Sequence, residues 1–111
     1  MSLSTHVLDA GLGRPAAGVS VRLERAGAGS EAGGCLAEAS TNSDGRVPDL
    51  AAELPVGDYR LTFGTGGYFA ATGQRGFYPE VVVTFTVTDP ARHHHVPLLL
   101  SPFAYSTYLG S

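Results

Sequence analysis

Apolar and polar residues alternate along much of this chain with a period of two, the signature of strands with one face buried. Val19, Val21 and Leu23 alternate with Ser20, Arg22 and Glu24. Tyr59, Leu61 and Phe63 do the same with Asp58, Arg60 and Thr62, and Val81, Val83, Phe85 and Val87 with Val82, Thr84, Thr86 and Thr88. Residues 4–9 form a further short strand, and residues 35–41 a weaker one diluted by alanines. Turn chemistry separates these runs. Gly11-Leu12-Gly13-Arg14-Pro15, Leu54-Pro55-Val56-Gly57-Asp58 and Asp89-Pro90 break them, and Asp44-Gly45 supplies the positive φ of a tight reversal. Residues 27–34, rich in Gly, Ala and Ser, read as a solvent-exposed loop. Residues 68–76 are the single helical stretch, with Phe69, Ala70 and Ala71 expected to dock on a sheet edge and cover it. The pattern predicts an all-β fold: a sandwich of seven or eight strands with one short helix, of Ig-like size. No repeat or composition boundary divides it, so residues 1–111 read as one domain.

The last strand carries the chemistry. In His93-His94-His95-Val96-Pro97-Leu98-Leu99-Leu100, parity sets His94 on the face of Val96, Leu98 and Leu100, which is the core face. His93 and His95 then share the opposite face, where a pair of imidazoles can meet a ligand. His93 reads as a same-face neighbour supporting His95. A zinc ion held by His93, His95 and His6 is one alternative. Gly64-Thr65-Gly66-Gly67 lacks the Lys-Ser/Thr ending of a phosphate loop and the long helix that follows one.

Composition narrows the classes. The 111 residues are 43% hydrophobic and 15% charged, which is ordinary globular usage. A formal net charge of −3 leaves no basic stripe for nucleic acid. No apolar run reaches the length of a membrane span, and no leader pattern precedes residue 6, so a cytoplasmic location is expected. Cys35 is the single cysteine, which rules out an intrachain disulfide and CxxC sites. It is expected to serve as a small buried or half-buried hydrophobe. Arg46 follows the Asp-Gly turn, and composition alone would make it a solvated surface charge.

Three segments taken together carry a resemblance. Ser4-Thr5-His6-Val7-Leu8-Asp9, Thr41-Asn42-Ser43-Asp44-Gly45-Arg46 and the stretch from His93 to Pro102 strongly resemble the 5-hydroxyisourate hydrolases, transthyretin-like enzymes of urate breakdown. Gly57-Asp58-Tyr59-Arg60-Leu61, Gly67-Tyr68-Phe69 and Phe77-Tyr78-Pro79-Glu80-Val81 resemble internal landmarks of the same family, so the likeness spans the whole chain. It implies a transthyretin-like sandwich assembled as a homotetramer, a dimer of dimers with active sites in the channel between dimers. It implies hydrolytic opening of 5-hydroxyisourate to 2-oxo-4-hydroxy-4-carboxy-5-ureidoimidazoline without metal or organic cofactor. It also implies functional roles for His6, Arg46, His95 and the tail from Tyr108 through Gly110 to Ser111.

Those roles suit the residue types. Imidazoles at positions 6 and 95 titrate close to working pH and can activate water and move its proton. The guanidinium of Arg46 offers a planar fork of donors for carbonyl oxygens and developing negative charge. Ser111 would position substrate through its hydroxyl or terminal carboxylate. Two positions depart from the family pattern. The family's chain end reads Tyr-Arg-Gly-Ser, whereas Leu109 stands here in place of the arginine, which predicts weaker capture of an anionic substrate. His94 stands where the family has tyrosine and is expected to replace its packing. A non-enzymatic small-ligand carrier of the same fold, and an Ig-like interaction module, are the alternatives. Neither accounts for His6, Arg46 and His95 together.

Overall fold

A computed structural model describes residues 3–26 and 34–110. The loop expected at residues 27–34 therefore lies, except for Gly34, outside the described residues, as does Ser111. The described elements run β1 (Leu3–Asp9), β2 (Arg14–Pro15), β3 (Ser20–Arg25), β4 (Cys35–Ser40), β5 (Arg46–Ala51), β6 (Gly57–Phe63), α1 (Thr65–Ala71), β7 (Val81–Val87), β8 (His94–Ser101) and β9 (Ala104–Thr107).

Two sheets pack face to face. One has the order β4-β3-β6-β7 and is antiparallel throughout. The other has the order β2-β1-β8-β9, with β5 also paired to β1. Since β8 pairs along the whole of β1, β5 and β2 share the opposite side of that strand, β5 near its start and β2 near its end. The β1–β8 pairing is parallel, so residues about ninety positions apart in sequence lie side by side.

Alternation explains which faces meet. Val21 and Leu23 of β3, Tyr59, Leu61 and Phe63 of β6, and Val81 and Val87 of β7 are buried from one sheet. Leu3 and Val7 of β1, and Val96, Leu98 and Leu100 of β8, close the core from the other. Each fully buried aliphatic or aromatic side chain contributes roughly 1.5–3 kcal/mol relative to exposure. His94 lies on this inner face and is 6% exposed, in keeping with its parity.

The structure corrects four expectations. Nine strands are present among the described residues rather than seven or eight, β2, β5 and β9 joining the six that the pattern places. Pro48 and Asp49 interrupt β5, and all four residues of β9 are exposed, so neither strand has an alternating apolar face. The helix spans Thr65–Ala71 and not residues 68–76. Its start is tied to the chain ahead of β7, with the Gly66 amide donating to the Pro79 carbonyl at 2.8 Å and the Thr65 hydroxyl to the Tyr78 carbonyl at 2.8 Å. Gly73, with φ of +69°, follows its last turn. With that register Tyr68 and Phe69 are the buried contacts, while Ala70 and Ala71 are exposed. Cys35 is exposed rather than buried, since it begins β4, an edge strand, beside a register shift.

The helix is anchored to β1 by a polar hub on the inner face. The Tyr68 hydroxyl donates to Asp9 Oδ2 at 2.6 Å, Gln74 Nε2 donates to the same oxygen at 3.1 Å, and the Leu12 amide donates to Oδ1 at 2.8 Å. Burial alone would raise the Asp9 carboxyl, but the hydrogen bonds from Tyr68, Leu12, Gln74 and Gly11 outweigh it, and its pKa falls below the usual carboxylate value. The Tyr68 phenol is pushed up to about 12, by burial first and then by Asp9.

Candidate active site

Strand register brings the sequence-predicted residues to one place. On β1, Leu3, Thr5, Val7 and Asp9 point inward, leaving Ser4 and His6 on the outer face. The parallel register sets Ser4 opposite His95 of β8, and the antiparallel register sets His6 opposite Arg46 of β5. His95 lies on the outer face of β8, half-buried between the inward-facing His94 and Val96. His6, Arg46 and His95 thus come from three neighbouring strands and look out from the same side of one sheet.

The turn before β5 is built to hold Arg46 there. Asn42 Oδ1 accepts from the Asp44 amide at 2.9 Å and from the Arg46 amide at 3.0 Å. The Asn42 amide donates to the Arg46 carbonyl, and the Gly45 carbonyl accepts from the Val7 amide at 2.7 Å. Gly45 has φ of +74°, and a Cβ there would meet the Val7 carbonyl, so glycine is required. The same turn fixes His6. Its Nε2 lies 2.9 Å from the Asp44 carbonyl, which can only accept, so Nε2 carries a proton and Nδ1 is the nitrogen that offers a lone pair in the neutral ring.

His95 is held from two sides. Its Nδ1 lies 2.8 Å from the Ser4 hydroxyl, which is also 2.9 Å from His93 Nε2. The tail crosses its other side, with the Gly110 amide donating to the His95 carbonyl at 2.8 Å. A Cβ on Gly110 would come within 2.6 Å of His95 Cδ2, so only glycine lets the tail lie against the imidazole. The pKa of His95 is lowered, by burial first, then by the Arg46 guanidinium and by electrostatic repulsion from the neighbouring rings of His6 and His93 whenever these carry a proton's charge. Lowering keeps the imidazole neutral, with a lone pair to offer, near neutral pH.

Other predicted positions go elsewhere. His93, exposed just ahead of β8, joins the site through Ser4. Tyr108, 59% exposed, lines a crevice of about 170 Å³ at the edge between the sheets with Leu109, His94, Val96, Val83 and Phe85. His94 is on the inner face of β8, so within one chain Tyr108 and Leu109 flank the side opposite His95. No group of three His, Cys, Asp or Glu residues among the described residues is arranged to hold a metal ion. His93 and His95 direct their nearer nitrogens at a hydroxyl instead. Sequence reasoning passed over Ser4 and Asn42 as functional residues. Asn42 carried a usable signal, since an Asn two residues before Asp-Gly is an Asx-turn former. Ser4 carried none, because its contacts depend on the β1–β8 register.

Residues 3–110 match the HIUase/Transthyretin family. The chain belongs to that family. It is 46% identical over 111 residues to a 5-hydroxyisourate hydrolase of Mus musculus, a match covering 98% of this chain and 94% of that protein. The solved 5-hydroxyisourate hydrolase of Klebsiella pneumoniae superposes with a TM-score of 0.88 at 40% identity, covering 100% of both chains. Sea bream transthyretin, solved in complex with thyroxine, superposes with a TM-score of 0.90 at 31% identity, covering 99% of this chain and 95% of that one. A hydroxyisourate hydrolase and a thyroxine-bound transthyretin share one backbone, so within the HIUase/Transthyretin family the outer-face side chains have to carry any assignment of function.

Proposed function

We propose that this chain hydrolyses 5-hydroxyisourate to 2-oxo-4-hydroxy-4-carboxy-5-ureidoimidazoline, using His6, Arg46 and His95 and no metal or organic cofactor. One observation carries the reading: the strand registers gather those three side chains on a single outer face. The named relatives above support the choice of substrate.

The chemistry follows from what each group can do. Water attacks the ring carbonyl carbon while His95, neutral because it is half-buried beside the Arg46 guanidinium, takes a water proton at Nε2. Arg46 hydrogen-bonds the carbonyl oxygen as it becomes an oxyanion. The acyl–nitrogen bond then breaks, and the leaving nitrogen takes up a proton from the histidine pair. His6, whose Nε2–H is committed to Asp44, serves through Nδ1. Gly110 lets the tail close over His95, and Tyr108 and Ser111 belong to the substrate-binding tail in this reading.

The proposal extends to assembly as a homotetramer, a dimer of dimers in the cytoplasm, with sites at the dimer–dimer interface. Exposed Phe103, Tyr105, Tyr108 and Leu109 along β9 and the tail offer apolar surface for such an assembly to cover. Assembly would also let Tyr108 of one copy serve the site of another. The second reading is a small-ligand carrier, favoured by Leu109, which puts an apolar side chain in the tail.

The test follows absorbance as freshly generated 5-hydroxyisourate decays. The protein should accelerate the decay, and His95→Asn should lose about 100- to 10 000-fold of that acceleration, the span expected for general acid–base catalysis. No acceleration by the unsubstituted protein would leave the carrier reading, and equal rates for the two proteins would remove His95 from the chemistry.

A further inference from the structure

Ser4 is 8% exposed and has its hydroxyl within hydrogen-bond distance of two imidazoles, 2.8 Å from His95 Nδ1 and 2.9 Å from His93 Nε2. A hydroxyl has one proton, and a neutral imidazole has one N–H and one lone pair. Ser4 can therefore donate to only one of the two rings and accepts from the other; accepting from both would leave its own buried hydroxyl proton without an acceptor. Two arrangements satisfy this condition. In one, His95 Nδ1–H donates to Ser4, Ser4 donates to His93 Nε2, and His95 Nε2 is bare. In the other both hydrogen bonds are reversed and His95 Nε2 is protonated.

We propose that Ser4 is a positioning residue, whose hydroxyl holds resting His95 as the Nδ1–H tautomer and couples its protonation to that of His93. This rests on the hydrolytic reading of His95 above. The proton balance is closed. As His95 Nε2 takes a proton from the attacking water, His95 Nδ1 passes its proton to Ser4 Oγ, and Ser4 passes its own to His93 Nε2. Water has lost one proton, His93 has gained one, and Ser4 and His95 end neutral. The reverse transfer restores the resting arrangement when the leaving nitrogen is protonated.

The surroundings give this transfer a direction. Among the described residues, His95 is faced by Arg46 from β5, by His6 from β1, by His93 at the head of β8 and by the uncharged Gly110 of the tail. A positive charge left on half-buried His95 would oppose a guanidinium and lack full hydration. His93 is exposed, so water can stabilise the same charge there. Ser4 moves charge from the poorly solvated ring to the well solvated one.

The experiment compares the unsubstituted protein with Ser4→Ala and Ser4→Thr. It reads kcat and KM for 5-hydroxyisourate against pH, and the His95 tautomer by long-range proton–nitrogen NMR. The unsubstituted protein should show the Nδ1–H tautomer at neutral pH. Ser4→Ala should lose that preference and about tenfold or more in kcat, a part of what general base catalysis supplies, with KM changed by less than about threefold. Its acid limb should also move, and Ser4→Thr, which keeps the hydroxyl, should recover both rate and tautomer. An Nε2–H tautomer in the unsubstituted protein would overturn the proposal. So would Ser4→Ala with unchanged kcat and pH profile, or Ser4→Thr as slow as Ser4→Ala. If the unsubstituted protein fails to turn over 5-hydroxyisourate, the functional reading falls, while the NMR comparison still decides whether Ser4 sets the tautomer. If Ser4→Ala does not fold, the unsubstituted tautomer and the behaviour of Ser4→Thr decide instead.

Discussion

Strand β1 carries two polar hubs on opposite faces, and they solve opposite problems. At Asp9, on the inner face, an ionised carboxylate only accepts, and every neighbour on it is a donor: Tyr68, Gln74 and the Leu12 amide. The carboxylate has no proton to give back, and its lowered pKa and the raised phenol keep the proton on Tyr68, so the hub has one state and fastens α1 to the sheet. At Ser4, on the outer face, the central atom both donates and accepts, between two rings that do the same. That hub has two states of full hydrogen bonding. A carboxylate amid donors makes a joint, whereas a hydroxyl amid imidazoles makes a switch.

Breaking the joint should have the largest effect on stability. Asp9→Ala leaves the Tyr68 hydroxyl and the Leu12 N–H without their acceptor and the Gln74 amide with Thr72 alone, and should cost about 2–4 kcal/mol in denaturant unfolding. Asp9 also sets a pH window. Its folded pKa lies below its unfolded value, so its contribution is complete above the unfolded value of about 4 and is lost as pH falls through the folded one. The acid-unfolding profile of Asp9→Ala should be flatter than that of the unsubstituted protein in that window.

The switch is sharpened by removing the charge that biases it. Burial lowers His95 first, and Arg46 comes next. Arg46→Gln should therefore move the acid limb of kcat/KM to higher pH, besides lowering its plateau. A plateau loss with an unmoved limb would mean that Arg46 does not act on His95 through space. The smallest effect is expected at Leu109, beside the crevice and one residue from the glycine on His95. Leu109→Arg should raise kcat/KM a fewfold, mainly through KM, with the acid limb in place. No gain would make the departure silent.

The three clean alternations, in β3, β6 and β7, were legible because each strand buries one face and wets the other. The inward placement of His94 and the outward placement of His95 followed from the same parity. Strand β5 was not legible: Pro48 and Asp49 break its period, and what holds it is the Asn42 turn and the pairing of Arg46 with His6. The helix start was not legible because three glycines among residues 64–67 suggest a loop, whereas the Pro79 carbonyl accepting from Gly66 and the Tyr78 carbonyl accepting from Thr65 fix the first turn there. Family resemblance supplied His6, Arg46 and His95 as a set, and pairwise register explains why they can act together. It could not supply Ser4, whose meaning lies in contacts with residues 89 and 91 positions away.

That separation also bears on how the molecule comes into being. The sheet β4-β3-β6-β7 is closed by antiparallel pairings of modest sequence separation, and loop-closure entropy favours forming those early. The parallel union of β1 with β8 needs nearly the whole described chain to be brought round, and hydrolytic competence requires that union. A half-folded chain, however well its antiparallel sheet is made, would have its imidazoles dispersed and would leave substrate untouched. Activity recovered during refolding would then clock the last long-range closure and not the collapse that precedes it.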